Sequence, residues 1–344
     1  MKAVVKTSRE PGNVEYIDVP EPTAGPGQLV IKVRNAGVCG TDLHIYKSEY
    51  LINPPVVLGH EMCGEIVEIG PGVDHFKLGD LVTVNPSAGK TCGHCRFCQV
   101  GAPFFCIDRA ALGSGINGGF AKYCCVRQGV VFPLPENLDD QTGALCEPFA
   151  CSLQAVAELT LIEPGDIIAV SGPGPIGIMC AMLAKIRGGH IVLLGTAKDK
   201  DRLAIARQLG IDRTVDVENE DAKEIIDDLT QGYGADVVFE CAGVEASSTV
   251  CLDIVRKMGR YTQVGLFGSP IQLNIDQVVL KQLHFQGSIC HTWETWERTL
   301  RFLRKDLIDL RPLITKRLPL SQWEEAFQSV SNGKGLKFLL HPEE

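Results

Sequence analysis

Apolar positions along the chain follow two rhythms. From residue 1 to about 145 they form short runs cut by Gly and Pro, as in LVIKVRNAGV (29–38), GEIVEIG (64–70) and DLVTV (80–84). Alternating or short apolar runs bounded by turn residues predict strands. Near residue 165 the rhythm changes. DIIAVSG (166–172) reads as a buried strand and IGIMCAMLAKI (176–186) as a helix, followed by IVLLG (191–195), a helix over KDRLAIARQLG (200–210) and TVDV (214–217). A helix over AKEIIDDLT (222–230) leads into ADVVFECAG (235–243), and GRYTQVGLFG (259–268) reads as a further strand. Strands alternating with helices at this spacing require a parallel sheet with right-handed crossovers. Beyond residue 290, ETWERTLRFLRKD and SQWEEAFQSV are amphipathic helices, on which Trp293 and Trp296 share one face and are assigned to packing. The pattern predicts an α/β protein with a doubly wound domain at 155–290. That domain is inserted into a β-rich domain built from 1–154 and 291–344.

Length and charge narrow the function classes. A chain of 344 residues suits two domains rather than one core. The net charge is −9 and no long basic run occurs. This argues against nucleic acid as a partner, because phosphates need clustered Lys and Arg. MKAVVKTSRE has no leader-like apolar stretch, and no segment reaches the ~20 apolar residues of a membrane span. Fourteen cysteines in that setting point to a reducing compartment, hence to the cytoplasm.

The first chemical signal is VSGPGPIG, with Gly172, Gly174, Pro175, Ile176 and Gly177 between a strand and a helix. In this context GxGxxG predicts dinucleotide binding. The first glycine makes the turn, the second admits a pyrophosphate, and the third brings helix and strand together. An NAD-binding domain carries an acidic residue about 20 positions on. Here Thr196 stands there, with Lys198 and Lys200 close behind. A carboxylate repels a 2′-phosphate whereas cations receive it, so NADP(H) is favoured over NAD(H). The alternative is that Asp199 or Asp201 curls back to the ribose.

Metal-ligand types occur in two sets. Cys92, Cys95, Cys98 and Cys106 have the spacing C-x2-C-x2-C-x7-C. Four thiolates complete a tetrahedral zinc shell with no open position, so this lobe (89–107) is read as a structural site, with an iron–sulfur cluster as the minor alternative. The other set is sparser. Cys39 lies in AGVCGTDLHIY, His60 and Glu61 in LGHEMCGEIV, and Glu147 in LCEPFACSLQAV. Thiolate, imidazole and carboxylate suit a zinc that keeps one position open. The remaining cysteines are read as small buried hydrophobes, Cys146 being notable only for its place beside Glu147.

CGTDLH, GHE, the four-cysteine lobe, EP and GPGPIG occur in the order seen in zinc-dependent medium-chain alcohol dehydrogenases. The chain resembles that superfamily over essentially its whole length, and looks most like its polyol (sorbitol/iditol) and L-threonine 3-dehydrogenase branches. The resemblance implies a GroES-like catalytic domain formed from both ends, a central Rossmann domain and an active site in the cleft between them. It implies that Cys39, His60 and Glu61 ligate the catalytic zinc. It also implies that Glu147 either ligates the metal or holds a zinc-bound water. Thr41 matches the hydroxyl beside the substrate alcohol, and His44 the next station of a proton relay. Two zincs per chain and a homodimer or homotetramer follow by the same resemblance.

The substrate is less legible. EPFACSLQAV lacks the Gly-Asn pair that follows the Glu-Pro of threonine dehydrogenases, which favours a polyol or related secondary alcohol. CGTDLHIY and DLRPLITKRLPLSQWEEAFQSV keep a threonine-dehydrogenase character as the runner-up. His44, Tyr46, Phe105 and Phe267 are the pocket candidates. A short-chain dehydrogenase is excluded by the lack of any Tyr-x-x-x-Lys pair. A zinc-ribbon binding module and an inactive structural relative are disfavoured by the acidic charge and by the second metal set.

Overall fold

Alternation decides the first body of the chain. In the strand Gln28–Gly37, Leu29, Ile31 and Val33 turn into the core while Arg34 faces out. This strand pairs with Glu61–Ile69 and with Tyr123–Arg127, both antiparallel. The sheet then runs through Leu81–Val84 to Val131–Pro133 on one side. On the other side the C-terminal strand Lys337–His341 pairs antiparallel with Gln28–Gly37, and Ile314–Pro319 lies beyond it. The last strand of the protein thereby completes a sheet begun near the first. A smaller sheet joins Val14–Asp18, Lys2–Lys6 and Val56–Val57. Met62, Ile66, Phe120, Trp323 and Phe327 fill the core beneath. Trp296 is fully buried, and both it and Trp293 pack on Phe132, with ring centroids 5.6 and 5.7 Å away.

The structure is a computed structural model and describes residues 1–343. It divides into two compact units, Met1–Pro148 with the segment from His291 onward, and Phe149–Cys290. The first boundary falls inside the helix Cys146–Leu153. Among the described residues no helix is long and apolar enough to cross a membrane.

The second unit is a six-stranded sheet, every neighbouring pair parallel. Its order is Arg213–Asp216, His190–Gly195, Ile167–Ser171, Ala235–Glu240, Val255–Gln263, His284–Gly287. The chain builds outward from Ile167–Ser171 in one direction, then returns to build in the other. The switch point therefore lies between Ile167–Ser171 and Ala235–Glu240, whose ends pair as Ser171 with Glu240. Continuous apolar runs such as IIAVS and IVLL suit strands covered on both faces. Two strands end sooner than their apolar patterns predict, at Glu240 and Gln263. The cause is polar. The N–H groups of Val264 and Gly265 both bond the Glu240 carbonyl, at 2.8 and 2.9 Å, and turn the chain out of the sheet.

Candidate metal centre and dinucleotide loop

Cys39 leaves the strand Gln28–Gly37 and caps the helix Gly40–Tyr46. The cap is closed by Asp42, whose Oδ2 accepts from the Cys39 N–H at 2.9 Å. His60 and Glu61 enter at the start of the neighbouring strand, where Glu61 pairs with Gly37. A side chain at residue 37 would fall on the Glu61 carboxylate, so only glycine leaves room for it. One sulfur, one imidazole nitrogen and one carboxylate oxygen from Cys39, His60 and Glu61 then lie within 4.8 Å of one another.

Two further buried charged side chains, Asp42 and Lys337, stand beside this trio. Buried Asp42 places Oδ1 3.4 Å from His60 Nδ1. Burial alone would push the His60 imidazole down, yet the Asp42 carboxylate and the Cys39 sulfur hold it well above its ordinary value. Such a cluster of anionic donors has the make-up of a cation site, and the mixed S, N and O donor set suits zinc. An outer carboxylate on a ligating imidazole fixes the tautomer and orientation of the ring. Glu61 is itself fully buried, and Lys337 Nζ reaches both of its oxygens at 2.7 and 2.8 Å. Lys337 also donates to the Val38 carbonyl at 3.2 Å. Burial presses the Lys337 ammonium toward neutrality, but Glu61 and Cys39 overcome this and raise its pKa.

The other predicted residues are placed variously. Thr41 Oγ1 is 3.8 Å from the Cys39 sulfur. His44 sits on the same helix, with Nδ1 2.8 Å from Glu49 Oε2 and the ring partly open to solvent. Glu147 is buried but stands outside the 4.8 Å trio; its Oε1 is 4.0 Å from His291 Nε2. Tyr46 meets Trp323 and Phe327 yet keeps 40% of its surface exposed, and Phe105 is half exposed beside Phe97 and Phe104. Phe267 is partly buried in the second unit. The Cys146 thiol is pushed up to about 12 by burial, as suits an inert core residue.

In the lobe, one sulfur each from Cys92, Cys95, Cys98 and Cys106 lies within 4.8 Å of the others. Cys95 and Cys98 are 3.6 Å apart, as are Cys92 and Cys106, and all fourteen cysteines are free thiols. Backbone N–H groups of Cys95 and Cys92 point at the sulfurs of Cys92 and Cys106, each at 3.3 Å. Hydrogen bonds from backbone N–H groups, led by that of Cys98, hold the Cys95 thiol down at about 6, while burial lifts Cys98 to about 12. Backbone donors aimed at sulfur favour the thiolate that a metal requires.

At the glycine loop, Gly172 has φ +98°, and a Cβ there would lie 2.6 Å from the Ala242 nitrogen. Gly174 faces open space, and the helix Pro175–Ile186 begins directly behind it. On the side of His190–Gly195, Asp199 closes back on Thr196, accepting from its N–H at 3.1 Å and its hydroxyl at 3.0 Å. Its other oxygen meets Arg202 at 3.3 Å. Lys198, Lys200 and Asp201 are exposed. Glu218 accepts from the Ala197 N–H at 3.1 Å.

Four residues next to these sites were not singled out from the sequence: Asp42, Lys337, His291 and Glu218. Asp42 had a local signal, since an acid three residues after a capping position closes a capping box. The others are distant in sequence and carry no local mark.

Two family models match the chain. The alcohol dehydrogenase GroES-like domain covers residues 25–136, and the zinc-binding dehydrogenase model covers 175–305. A sorbitol dehydrogenase of Halalkalibacterium halodurans is 41% identical, over 99% of this chain and 99% of that protein. An L-threonine 3-dehydrogenase of Escherichia fergusonii is 35% identical over 99% of each chain. A zinc-binding dehydrogenase of Sinorhizobium meliloti, solved bound to NADP, superposes with a TM-score of 0.87 at 30% identity over 99% of both chains. With a GroES-like sheet, a Rossmann sheet and these relatives, the chain belongs to the zinc-binding medium-chain alcohol dehydrogenase family.

Proposed function

We propose that this protein is a zinc-dependent, NAD(P)-linked dehydrogenase that oxidises a secondary alcohol of a polyol or sugar alcohol to a ketone. The observation that carries the reading is the convergence of Cys39, His60 and Glu61 within 4.8 Å. A zinc held by these residues would supply Lewis acidity that lowers the pKa of an alcohol, and a bound nicotinamide would supply the hydride acceptor. The chain's own part is positional. Asp42 orients the His60 ring and Lys337 holds Glu61. The Thr41 hydroxyl accepts the alcohol proton as it hands its own on, and His44, oriented by Glu49, receives that proton and passes it toward solvent. Glu147, buried close to His291, is the fourth candidate group for the metal after Cys39, His60 and Glu61, as a ligand or as the holder of a water.

The body made from residues 1–154 and 291–344 is the catalytic module, and 155–290 binds the dinucleotide through Gly172, Gly174, Pro175, Ile176 and Gly177. NADP(H) is preferred, because Thr196 replaces an acid and Lys198 and Lys200 stand exposed to receive a 2′-phosphate. The NADP-bound relative supports this. Cys92, Cys95, Cys98 and Cys106 hold a second, structural zinc. Fourteen free thiols suit a cytoplasmic enzyme, and a homodimer or homotetramer is the proposed assembly.

The sorbitol dehydrogenase likeness, at 41%, favours polyols over amino alcohols. The threonine dehydrogenase likeness keeps L-threonine as the second reading. A panel of polyols, L-threonine and simple secondary alcohols assayed with NAD⁺ and NADP⁺ separates them. Turnover of a polyol above L-threonine is the expected result. Failure of every alcohol in a preparation holding both zincs would overturn the catalytic reading.

A further inference from the structure

Glu240 is a carboxylate with no exposed surface at the carboxyl end of the strand Ala235–Glu240. A buried charge of this kind needs a full set of donors, and it has them. Its Oε1 accepts from the Ala242 N–H at 3.0 Å, the Gly243 N–H at 3.1 Å and the Ser247 hydroxyl at 2.6 Å. Its Oε2 accepts from the Gly243 N–H at 3.1 Å and from the Gln263 side-chain amide. Because Ser247 gives its proton to Glu240, the Ser171 hydroxyl 2.7 Å away must donate to Ser247. The Glu240 carbonyl meanwhile holds the N–H groups of Val264 and Gly265. One residue thus ties together the ends of three neighbouring strands, Ile167–Ser171, Ala235–Glu240 and Val255–Gln263.

Those ends border the switch point, where an open parallel sheet takes its dinucleotide. The glycine loop and the 2′-phosphate region lie on the side of His190–Gly195. The other half of the cofactor must therefore lie over the loops after Glu240 and Gln263. Each loop presents an exposed apolar residue, Val244 at 52% and Leu266 at 49% exposure. The loops touch so closely that a Cβ on Gly243 would strike the Leu266 carbonyl. We infer that Glu240 is the positioning residue of the nicotinamide half-site: its carboxylate fixes loops 241–244 and 264–266 as one apolar bed for the ring. This rests on the dinucleotide reading proposed above.

Glu240→Gln tests it. An amide offers one acceptor oxygen and sets its NH₂ against at least one donor, so one corner of the clamp opens while the volume is kept. Affinities for NADPH and NADH, read by nicotinamide fluorescence, are expected to fall about tenfold or more, while affinity for ADP-ribose stays within about twofold. The NADPH-to-NADH preference is expected not to change. Gln263→Leu takes one donor from the carboxylate, together with the Gln263 bonds to the Gly265 carbonyl and the Tyr261 hydroxyl, and is expected to give a smaller shift of the same sign. Equal loss of ADP-ribose and NADPH affinity would reduce Glu240 to a general structural role and overturn the proposal. Unchanged NADPH affinity in a folded Glu240→Gln protein, with the wild type binding, would overturn it while sparing the dinucleotide reading. A wild type that binds neither dinucleotide would overturn both.

Discussion

Lys337 Nζ lies 2.7 Å from Glu61 Oε1 and 2.8 Å from Oε2, a buried pair joining residues 276 positions apart. Both groups are almost without exposed surface. The pair fits a metal site that must exist in two states. Without the metal, the buried Glu61 carboxylate is paired with the Lys337 ammonium. With it, a cation already held on one side of the carboxylate limits how the other side is presented.

Replacing Lys337 by Met leaves Glu61 buried without its partner. Breaking a buried pair from one side costs about 3–5 kcal/mol. Zinc supplies a replacement charge, so the loss falls mainly on the metal-free protein. Thermal melts of Lys337→Met with and without a strong chelator are expected to lie further apart than those of the wild type. Equal destabilisation in both states would refute the coupling between Lys337 and the metal site.

Cys98→Ser separates the two proposed metals. The variant is expected to fall from about two zincs per chain to about one, and to melt earlier, because a closed four-thiolate shell contributes to folding. Dinucleotide affinity, measured below the melting point, is expected to hold. Loss of both metals together would show that the lobe and the Cys39–His60–Glu61 site are not independent.

The pattern of apolar runs was enough to read five strands and three helices of the parallel-sheet body and the β-rich character of the other. Periodicity reports which face a residue turns inward, but it left the helix Glu245–Ile254 and the strands Lys2–Lys6, Tyr123–Arg127, His284–Gly287 and Lys337–His341 unread. What it could not report was where polar partners meet. The strands predicted to run to 243 and 268 stop at Glu240 and Gln263, because the turn is made by hydrogen bonds to one buried acid. The trio Cys39, His60 and Glu61 was visible because each residue sits beside a strand end with its neighbours in sequence. Lys337 and His291 were not, since they arrive from the far end of the chain. Thr196 stands in the sequence where an NAD-binding domain is expected to carry its acid. That Asp199 would close back onto it and be held by Arg202 required the fold.

Asp212 links the helix Pro175–Ile186 to the strand His190–Gly195. It accepts from Lys185 Nζ at 2.5 Å and from the Ile191 N–H at 2.9 Å. Burial pushes its carboxyl up, but these donors together hold it below its ordinary value. A carboxyl whose folded pKa is depressed stabilises the fold above its unfolded pKa of about 3.9 and loses that contribution as pH falls through the folded value. Asp212→Asn is therefore expected to be less stable than wild type by about 0.5–1 kcal/mol at pH 7. The gap should close as pH drops below about 4. Denaturant unfolding of both proteins at pH 7 and pH 3 measures this, and a gap that stays constant with pH would disprove the ionic contribution.

Lys198 carries the prediction on cofactor choice. It is exposed, directly after the Thr196–Ala197 turn that closes the strand His190–Gly195. Asp199 is already occupied by Thr196 and Arg202, so it is poorly placed to serve as the ribose acid of an NAD site. A lysine meeting a 2′-phosphate contributes a charge-assisted contact, whereas it has nothing to meet on a bare ribose hydroxyl. Lys198→Ala is thus expected to lower kcat/KM with NADP⁺ about tenfold and to leave the value with NAD⁺ within about twofold. The loss should shrink at high salt, because an exposed ion contact is screened. Parallel losses with both cofactors would place Lys198 outside the 2′-phosphate site. A wild type preferring NAD⁺ would reverse the assignment of Thr196, Lys198 and Lys200 together.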